Sequence, residues 1–398
     1  MATPHPSFFL GPSPQKDRIE ELKQFTSNPF YKFILFPIGQ IIAFALGASL
    51  ALSLIIILLA FLFRFNVTDF DLVERTLLIL PQVLINGITI GFVYATIALG
   101  YTMVYGVLEF INFSHSEIFM VGGIVGVELM AYFEYTGALV TMNQYVVIAL
   151  AILLGMIISG VLAVTIERIA YKPLRGAPRL VPLISAIGMS FFLQDAVRLI
   201  LSLTTGEFNV ILPNFGTFDE FWVLAVPGIE NPLRFQIKSL LLIGVTVVML
   251  VGLNFLVNGT KIGKAIRAVA QDRPSASLMG INVNLIISIT FLIGGALGGA
   301  AGVLFALKAT RLDPFVGFFP GLKAFTAAVL GGIGNLTGAL LGGLVLGLLE
   351  SFGASYLSIF TNGAFGAEYK DILAFAVLIL VLILRPSGLL GQTVAQKA

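Results

Sequence analysis

The chain of 398 residues contains no cysteine and only two histidines, His5 and His115. Without cysteine there can be no disulfide bond, thiolate metal site or cysteine nucleophile. Two imidazoles are too few for a multi-histidine metal centre, so the sequence predicts no metal site. No set of serine, histidine and aspartate is aligned beyond chance, which leaves no indication of triad catalysis.

Charged residues are also scarce. They make up 11% of the chain, whereas soluble domains contain about 25%. Hydrophobic residues make up 58%, and this composition predicts an integral membrane protein. The net charge of +2 is too small to indicate nucleic-acid binding, and the basic residues are scattered in short loops.

Motifs for nucleotide binding and ion selection are missing. The nearest candidate for a phosphate-binding loop runs from Gly259 to Lys264, but its glycine spacing is wrong and Ala265 follows where Ser or Thr is required. No potassium-filter sequence of the TVGYG type occurs. The chain is therefore not expected to be an enzyme, and any ATP hydrolysis must take place in a partner.

The chain is rich in apolar runs long enough to cross about 30 Å of hydrocarbon. These lie near 37–63, 77–105, 113–133, 145–167, 180–203, 237–258, 285–307, 315–333, 336–355 and 370–385. The run at 315–333 is thin and rich in glycine, and the run at 180–203 contains Asp195 and Arg198. We predict an all-α polytopic membrane protein, a helical bundle of about nine to ten apolar segments that include glycine-broken or re-entrant helices.

The basic residues predict the orientation, because positively charged loops stay in the cytoplasm. One cluster lies at 168–179 (Arg168, Lys172, Arg175, Arg179) and another at 261–273 (Lys261, Lys264, Arg267, Arg273). Residues 1–36 contain prolines and both charge signs, unlike a secretory signal. We interpret 1–36 as a cytoplasmic tail and expect both clusters to face the cytoplasm, with 204–236 outside. Lys308, Arg311 and Lys323 would then face outward, against the rule.

The segment 259–284 stands alone between two long apolar runs. Its residues predict a short helix at 262–271, which Pro274 ends, and a second short helix from Pro274 to Gly280. Leu278 and Met279 would be exposed at the end of this helix and would need a partner surface. We interpret the segment as a docking loop, the alternative being an ordinary interfacial loop that lies on the lipid headgroups.

Polar residues at 109–117 lie at the mouth of two spans, among them Asn112, His115 and Glu117. Ionisable groups at membrane depth are costly and usually functional, which makes these residues candidates for a translocation path. The alternative is a cytoplasmic turn in which Asn112 and Ser114 cap the next helix and Glu117 completes a capping box.

A separate pair, Asp195 and Arg198, shares a helix face and is expected to form a structural ion pair rather than a substrate contact.

Glycines supply two further features. Gly294, Gly298 and Gly302 recur every fourth residue, which predicts flat faces for close helix packing rather than sliding surfaces.

The stretch 331–335 has glycine at three of its first four positions, and Asn335 follows. Because non-helical backbone at membrane depth is tolerated only inside protein or along a cavity, Gly331, Gly332, Gly334 and Asn335 are further candidates for the path, or else form a plain tight turn.

Three separated stretches resemble a known family. They are LINGITIGFVYATIALGYTMVYGVLEFINFSHSEIFMVGG from Leu84, GKAIRAVAQDRPSASLMGIN from Gly263, and KAFTAAVLGGIGNLTGALLGGLVLGLLES from Lys323. In this order they resemble the LivH-type permease subunits of branched-chain amino acid ABC importers, over roughly residues 80–390. Residues 1–76 extend beyond the usual start of the family, so the run at 37–63 would be an additional N-terminal transmembrane span ahead of a permease core at 77–390.

The resemblance implies a multi-pass subunit of the bacterial inner membrane that holds no cofactor of its own. Its implied partners are a LivM-like second permease, two cytoplasmic ATPase subunits that use ATP and Mg, and a periplasmic binding protein that delivers the substrate. The docking loop would be the coupling segment that drives gating at residues 262–280. Its candidate residues for ATPase coupling are Ala265, Arg267, Ala270, Asp272, Pro274, Leu278, Met279 and Gly280.

The resemblance leaves the substrate open among branched-chain amino acids, other neutral amino acids, urea and short amides. Two other classes remain. A secondary transporter would couple to protons through Glu117, His115 or Asp195 and would work without an ATPase. A membrane scaffold would be favoured only by the abundance of packing glycines.

Overall fold

The computed structural model describes residues 28–29, 31–63, 72–108, 110–178, 180–214, 220–225, 232–332, 334–385 and 387–391. Most of the N-terminal tail and Arg179 therefore lie outside the described residues. Eight helices in this part of the chain are long and apolar enough to cross a membrane. The all-α polytopic class is thus confirmed.

The long helices follow the apolar runs of the sequence. They are α1 (Phe36–Phe63, after a π-helical turn at Tyr31–Leu35), α2 (Leu72–Leu108), α3 (His115–Tyr135), α5 (Gln144–Ile166), α6 (Leu180–Thr204), α7 (Ile237–Gly259), α10 (Val283–Ala309) and α12 (Leu336–Phe360). The two remaining runs form shorter helices, α11 (Phe318–Gly331) and α13 (Lys370–Leu384). With 14 residues, α11 is about 21 Å long and spans only part of a bilayer.

Short elements connect the long helices. They are α4 (Ala138–Thr141), a π-helical turn at Glu167–Tyr171, 3₁₀ turns at Lys172–Leu174 and Ala367–Tyr369, α8 (Lys261–Gln271) and α9 (Arg273–Leu278). Strands β1 (Val210–Ile211) and β4 (Arg311–Leu312) pair antiparallel, and β2 (Phe221–Leu224) pairs antiparallel with β3 (Leu233–Gln236).

Glycines set the distances between the central helices. A Cβ atom built on Gly347 of α12 would overlap the backbone of Gly91 in α2, and one built on Gly302 of α10 would overlap the carbonyl oxygen of Phe119 in α3. Such contact between backbones is what holds helices together where lipid offers no hydrophobic driving force. The predicted packing faces are therefore present, and any larger side chain at these two positions would force the helices apart.

The bundle has two distinguishable ends. At the basic end, Arg175 donates to the Asn284 side chain at 2.6 Å and Arg273 donates to the carbonyl oxygen of Val107 at 2.9 Å. Both basic clusters therefore lie at one end, as far as the structure describes them. At the opposite end, the strand end, β1 pairs with β4 and the hairpin β2–β3 lies beside α2. Residues 31–35 lie at the basic end, because Asn254 near the end of α7 donates to the Phe33 carbonyl oxygen at 3.3 Å.

Helix α1 packs on the outside of the central pair α2 and α12. Ile56 of α1 belongs to a buried apolar cluster with Val83 of α2 and Phe352 of α12. The other face of α1 exposes leucines along its length, including Leu46 and Leu50. This helix thus covers part of the central pair while presenting a continuous apolar face to its surroundings.

One prediction about charged residues is wrong. Asp195 and Arg198 form no ion pair within 4 Å; both are exposed, and the Arg198 guanidinium lies over the ring of Phe208 at 5.2 Å. Lys323, which was expected on the outward side, is buried within the bundle, where its ammonium group pairs with Glu350 at 3.1 Å and with Asp371, in the first turn of α13, at 2.8 Å. Helical periodicity placed Asp195 and Arg198 on one face but could not show that an aromatic ring competes for the cation.

The missing cysteines make the orientation directly testable, since one engineered cysteine is the only thiol in the chain. Gly176→Cys and Lys261→Cys place it at the basic end, and Asn214→Cys and Val140→Cys place it on the other side of the bundle. With the basic end in the cytoplasm, a membrane-impermeant thiol reagent applied to intact cells labels 140 and 214 and spares 176 and 261. Labelling at 176 and 261 with protection at 140 and 214 would show the inverted orientation.

Candidate functional site

Helix α3 begins inside the bundle rather than at its surface. The ring of His115, its first residue, packs edge-on against Tyr101 at 4.6 Å between ring centres and lies beside Gly298. Tyr101 is about 10 Å before the end of α2, and Gly298 is near the middle of α10. The chain after Leu108 therefore turns back into the bundle, and the residues predicted at the mouth of two spans lie at membrane depth.

Three side chains close a hydrogen-bonded triangle just before α3. The Ser114 hydroxyl donates to Asn112 Oδ1 at 2.7 Å, and the Tyr171 hydroxyl donates to the same oxygen at 2.6 Å. The Ser114 and Tyr171 oxygens are 2.7 Å apart, and all three side chains are buried. The triangle holds the turn against the π-helical turn at Glu167–Tyr171, a connection that the sequence did not indicate.

Glu117 lies in the first turn of α3 and is fully buried. Its Oε1 atom accepts hydrogen bonds from Gln194 Nε2 at 2.8 Å and Ser190 Oγ at 3.1 Å, both on α6. Ser190 and Gln194 were missed from the sequence, although polar residues four positions apart in an apolar run share a helix face and are a usable signal. Glu117 thus attaches the lightly packed helix α6 to α3.

The capping-box alternative for this segment is wrong. Ser114 is the residue before α3, but its side chain makes no bond to a helical N–H and is instead occupied by Asn112 and Tyr171. Glu117 reaches sideways to α6 instead of back along its own helix. Burial of the segment explains the difference, because polar side chains in apolar surroundings bond to whichever partner lies across the interface.

Three buried polar atoms of this segment have no hydrogen-bond partner among the described residues. They are Asn112 Nδ2, His115 Nε2 and Glu117 Oε2. A buried polar group without a partner costs about 1–3 kcal/mol. Three such atoms lie within six residues, which makes this segment costly and keeps it a candidate for a functional role.

The first turn of α11 lies against the same place. A Cβ atom on Gly317 would come within 2.6 Å of Glu117 Oε2, and one on Gly321 would overlap the side chain of Ser116. Two helices, α3 and α11, therefore start beside Glu117 at membrane depth. Helix N-termini carry partial positive charge and stabilise anions, and broken helices of this kind often form ion and substrate sites in transporters. Here the carboxylate of Glu117 itself occupies the position.

A buried charge network binds α11 to its neighbours. Lys323 pairs with Glu350 of α12 and Asp371 of α13, and Lys370 also pairs with Glu350 at 3.0 Å. The Tyr94 hydroxyl of α2 donates to the other oxygen of Glu350 at 2.6 Å. The sequence did not reveal this network, because its members are distant in the chain.

The glycine turn at 331–335 lies at the other end of α11. Gly332 and Gly334 have φ angles of 104° and 88°, and Asn335 caps α12 by accepting from the N–H of Gly338 at 3.0 Å. The amide N–H groups of Leu389 and Leu390 donate to the carbonyl oxygens of Leu330 and Gly331. The candidate path residues thus fall into two groups that the structure does not bring together. One group lies near the start of α11 (Asn112, His115 and Glu117), and the other lies at its end (Gly331, Gly332, Gly334 and Asn335).

The predicted docking segment forms the two short helices α8 and α9. Thr260 caps α8 by accepting from the N–H of Gly263 at 3.0 Å, and Asp272 caps α9 by accepting from the N–H of Ser275 at 3.2 Å. Pro274 lies in the first turn of α9, and Gly280 ends the turn after it with a φ angle of 83°. Both helices follow the sequence prediction to within a residue or two.

The faces of these helices differ. Ala265 and Ala270 are half-buried against the bundle, and Arg267 donates to the Val257 carbonyl oxygen at 2.5 Å. Leu278 and Met279 are 89% and 82% exposed. Large apolar side chains this exposed at the tip of a capped helix form a small surface that is suited to contact with another protein.

The docking segment also touches the chain that leads to α3. Arg273 donates to the carbonyl oxygen of Val107, one residue before α2 ends. A cavity of about 310 Å³ separates the docking segment from Tyr171 and Arg175. A displacement of α9 would therefore act on the end of α2 and, a few residues later, on Asn112 and Ser114.

No group of three potential metal ligands occurs among the described residues.

One protein family matches most of the chain. Residues 83–382 match the model of a family described as "Branched-chain amino acid transport system / permease component". The match begins within α2, downstream of α1, and ends within α13. The helix α1 thus lies outside the region that defines the family.

Relatives match over nearly their whole length. The chain is 42% identical to the high-affinity branched-chain amino acid transport system permease protein BraD of Pseudomonas aeruginosa over 316 residues, 79% of this chain and 97% of BraD. It is 41% identical to the corresponding permease protein LivH of Escherichia coli K12 over 81% of this chain and 99% of LivH. A probable LivH of Methanocaldococcus jannaschii is 28% identical over 74% of this chain and 87% of that protein.

The two glycines of the turn provide a matched pair for testing the backbone at 331–335. Both have positive φ, a conformation that side chains with a Cβ atom disfavour, so alanine at either position strains the backbone. At Gly332 a Cβ atom would also overlap the backbone of Gly391, whereas at Gly334 the space is open. We expect Gly332→Ala to lower the thermal unfolding temperature of the purified complex clearly more than Gly334→Ala. Equal effects would show that residues 387–391 do not pack on this turn.

Proposed function

The chain belongs to the branched-chain amino acid transport permease family and is a transport permease component rather than an enzyme; on this premise we propose that it forms part of the membrane channel of an ATP-driven importer for branched-chain amino acids. Relatives with high identity carry this substrate class in their names. Urea, short amides and other neutral amino acids are the substrate alternatives.

The observation that carries this proposal is the docking segment. Its helices α8 and α9 are capped at their N-termini, anchored by Arg267 and Arg273 to the bundle, and tipped with the exposed side chains of Leu278 and Met279. A rigid segment with an apolar tip transmits force from a partner better than a mobile loop would. A transporter that works alone has no use for such a surface.

The proposed assembly contains a LivM-like second permease, two cytoplasmic ATPase subunits that bind ATP and Mg, and a periplasmic protein that delivers the amino acid. The chain would lie in a bacterial inner membrane with its N-terminus and basic end in the cytoplasm. ATP binding would move the ATPases, and the proposed contact at Leu278 and Met279 would move α9.

The proposed path of force continues from Arg273 to Val107 and from there to the turn before α3. At that turn the unpartnered atoms of Asn112, His115 and Glu117 lie beside the start of α11. The glycine turn ends α11 near the cytoplasm, so α11 could shift as a short rigid unit between the substrate path and the basic end. We propose that the substrate path includes Asn112, His115, Glu117, Gly331, Gly332, Gly334 and Asn335.

One observation favours a second candidate. The fully buried carboxylate of Glu117, with one oxygen unpartnered among the described residues, is the kind of group that proton-coupled transporters use. Such a transporter would respond to the pH gradient and would not need the docking segment. The two candidates therefore differ in their energy source.

Uptake of radiolabelled leucine into proteoliposomes that contain the whole complex separates them. We expect uptake to require internal ATP, to persist when a protonophore collapses the pH gradient, and to fall at least about tenfold in Leu278→Asp, because a charge buried at an interface without a partner costs several kcal/mol. Gly176→Asp places the same charge at an open position of the basic end and should retain uptake. Protonophore-sensitive uptake without ATP would refute the importer.

A further inference from the structure

A second cavity, distinct from the site beside Glu117, opens at the strand end. Its volume is about 620 Å³, within the range of about 300–1,000 Å³ for small-molecule sites. Its wall is formed by α2, the start of α7, the end of α10, the end of α12 and the hairpin β2–β3. The cavity therefore faces the side from which an importer receives its substrate, if the basic end is cytoplasmic.

One wall of the cavity is polar and rigid. Gln82, Asn86 and Thr89 are spaced by four and three residues and share one face of α2. Gln82 is bonded twice to the backbone of Arg234, accepting from its N–H at 3.1 Å and donating to its carbonyl oxygen at 3.2 Å. These bonds fasten the hairpin to α2 and fix the shape of the cavity.

The charge of the cavity is positive. Lys308, in the last turn of α10, is half-buried in its wall and has no ion-pair partner among the described residues. Arg234 lies at the exposed rim, and none of the described lining residues is acidic. A cation in a partly buried site attracts an anionic group more strongly than an exposed cation does.

The remaining lining is apolar, with Ile79, Val83, Ile85 and Leu233 facing the same space. A ligand that suits this cavity has a compact anionic group and an apolar body. We propose that the cavity receives the transported amino acid after its delivery, with the α-carboxylate at Lys308 and the branched side chain against these apolar residues. The inference rests on the proposed function and adds a substrate site to it.

A small ligand fits the arrangement better than an acidic surface of the delivery protein. Lys308 is half-buried beneath the hairpin, and Gln82 and Asn86 narrow the approach to it, whereas a docking protein would meet Arg234 at the rim. The uncharged amide leucinamide retains the apolar body and the amino group but lacks the carboxylate. It therefore separates recognition of the carboxylate from recognition of the side chain.

The test uses Asn86→Cys as the only thiol of this chain in the reconstituted complex, with Val140→Cys, 91% exposed and outside the cavity, as control. An anionic methanethiosulfonate should react at 86 at least about threefold faster than a cationic one after normalisation to 140. Lys308→Gln should remove this preference. Leucine should slow the reaction at 86 at least about threefold, leucinamide should not, and Lys308→Gln should abolish the protection.

Each outcome is decisive. If leucine uptake is intact but position 86 shows neither charge preference nor protection by leucine, the cavity is not a substrate site and the proposed function stands. If leucine protects position 86 but no ATP-dependent uptake occurs, the cavity binds amino acid and the importer is wrong. Protection by the substrate-free delivery protein, with none by leucine, would assign the cavity to protein docking and overturn the inference.

Discussion

The structure depends on direct contact between helix backbones in an environment that offers no hydrophobic gain for helix association. Glycines bring α2 against α12 and α10 against α3 closely enough for a single Cβ atom to overlap the opposite backbone. This tight core permits an irregularity that lipid would not, because the non-helical residues 110–114 are enclosed by protein and none of them is exposed. Helices α3 and α11 start inside the bundle, where closely packed neighbours surround them.

The same core connects the two ends of the molecule. Polar contacts join separate elements at three places: Arg273 on the end of α2, Glu117 between α3 and α6, and Lys323 between α11, α12 and α13. Because removing one member of a buried ion pair leaves an uncompensated charge, these contacts favour discrete arrangements over gradual deformation. A permease that alternates between two states under the action of an ATPase needs this property.

Sequence was sufficient for the features that local rules control. The apolar runs gave the long helices, and Pro274 and Gly280 gave the bounds of α9 to within two residues. Contacts between distant segments were not predictable: Tyr171 closing on Asn112, Lys323 finding Glu350, and Glu117 binding α6 instead of completing a capping box. Each depends on which helix lies opposite, which hydropathy does not specify. Ser190 and Gln194 are the exception, since their spacing in an apolar run marked a polar face that could have been assigned a partner.

The central claim is that an ATPase subunit binds this chain at Leu278 and Met279, at the end of α9. Photo-crosslinking tests this claim most directly. A benzophenone amino acid at position 278 should form an adduct with the ATPase subunit in intact membranes, while the same group at position 176, exposed at the same end of the bundle, should give little or none. The account predicts that the adduct at 278 changes in yield when ATP is trapped in the complex. An importing complex in which position 278 crosslinks only to lipid, or to nothing, would contradict it.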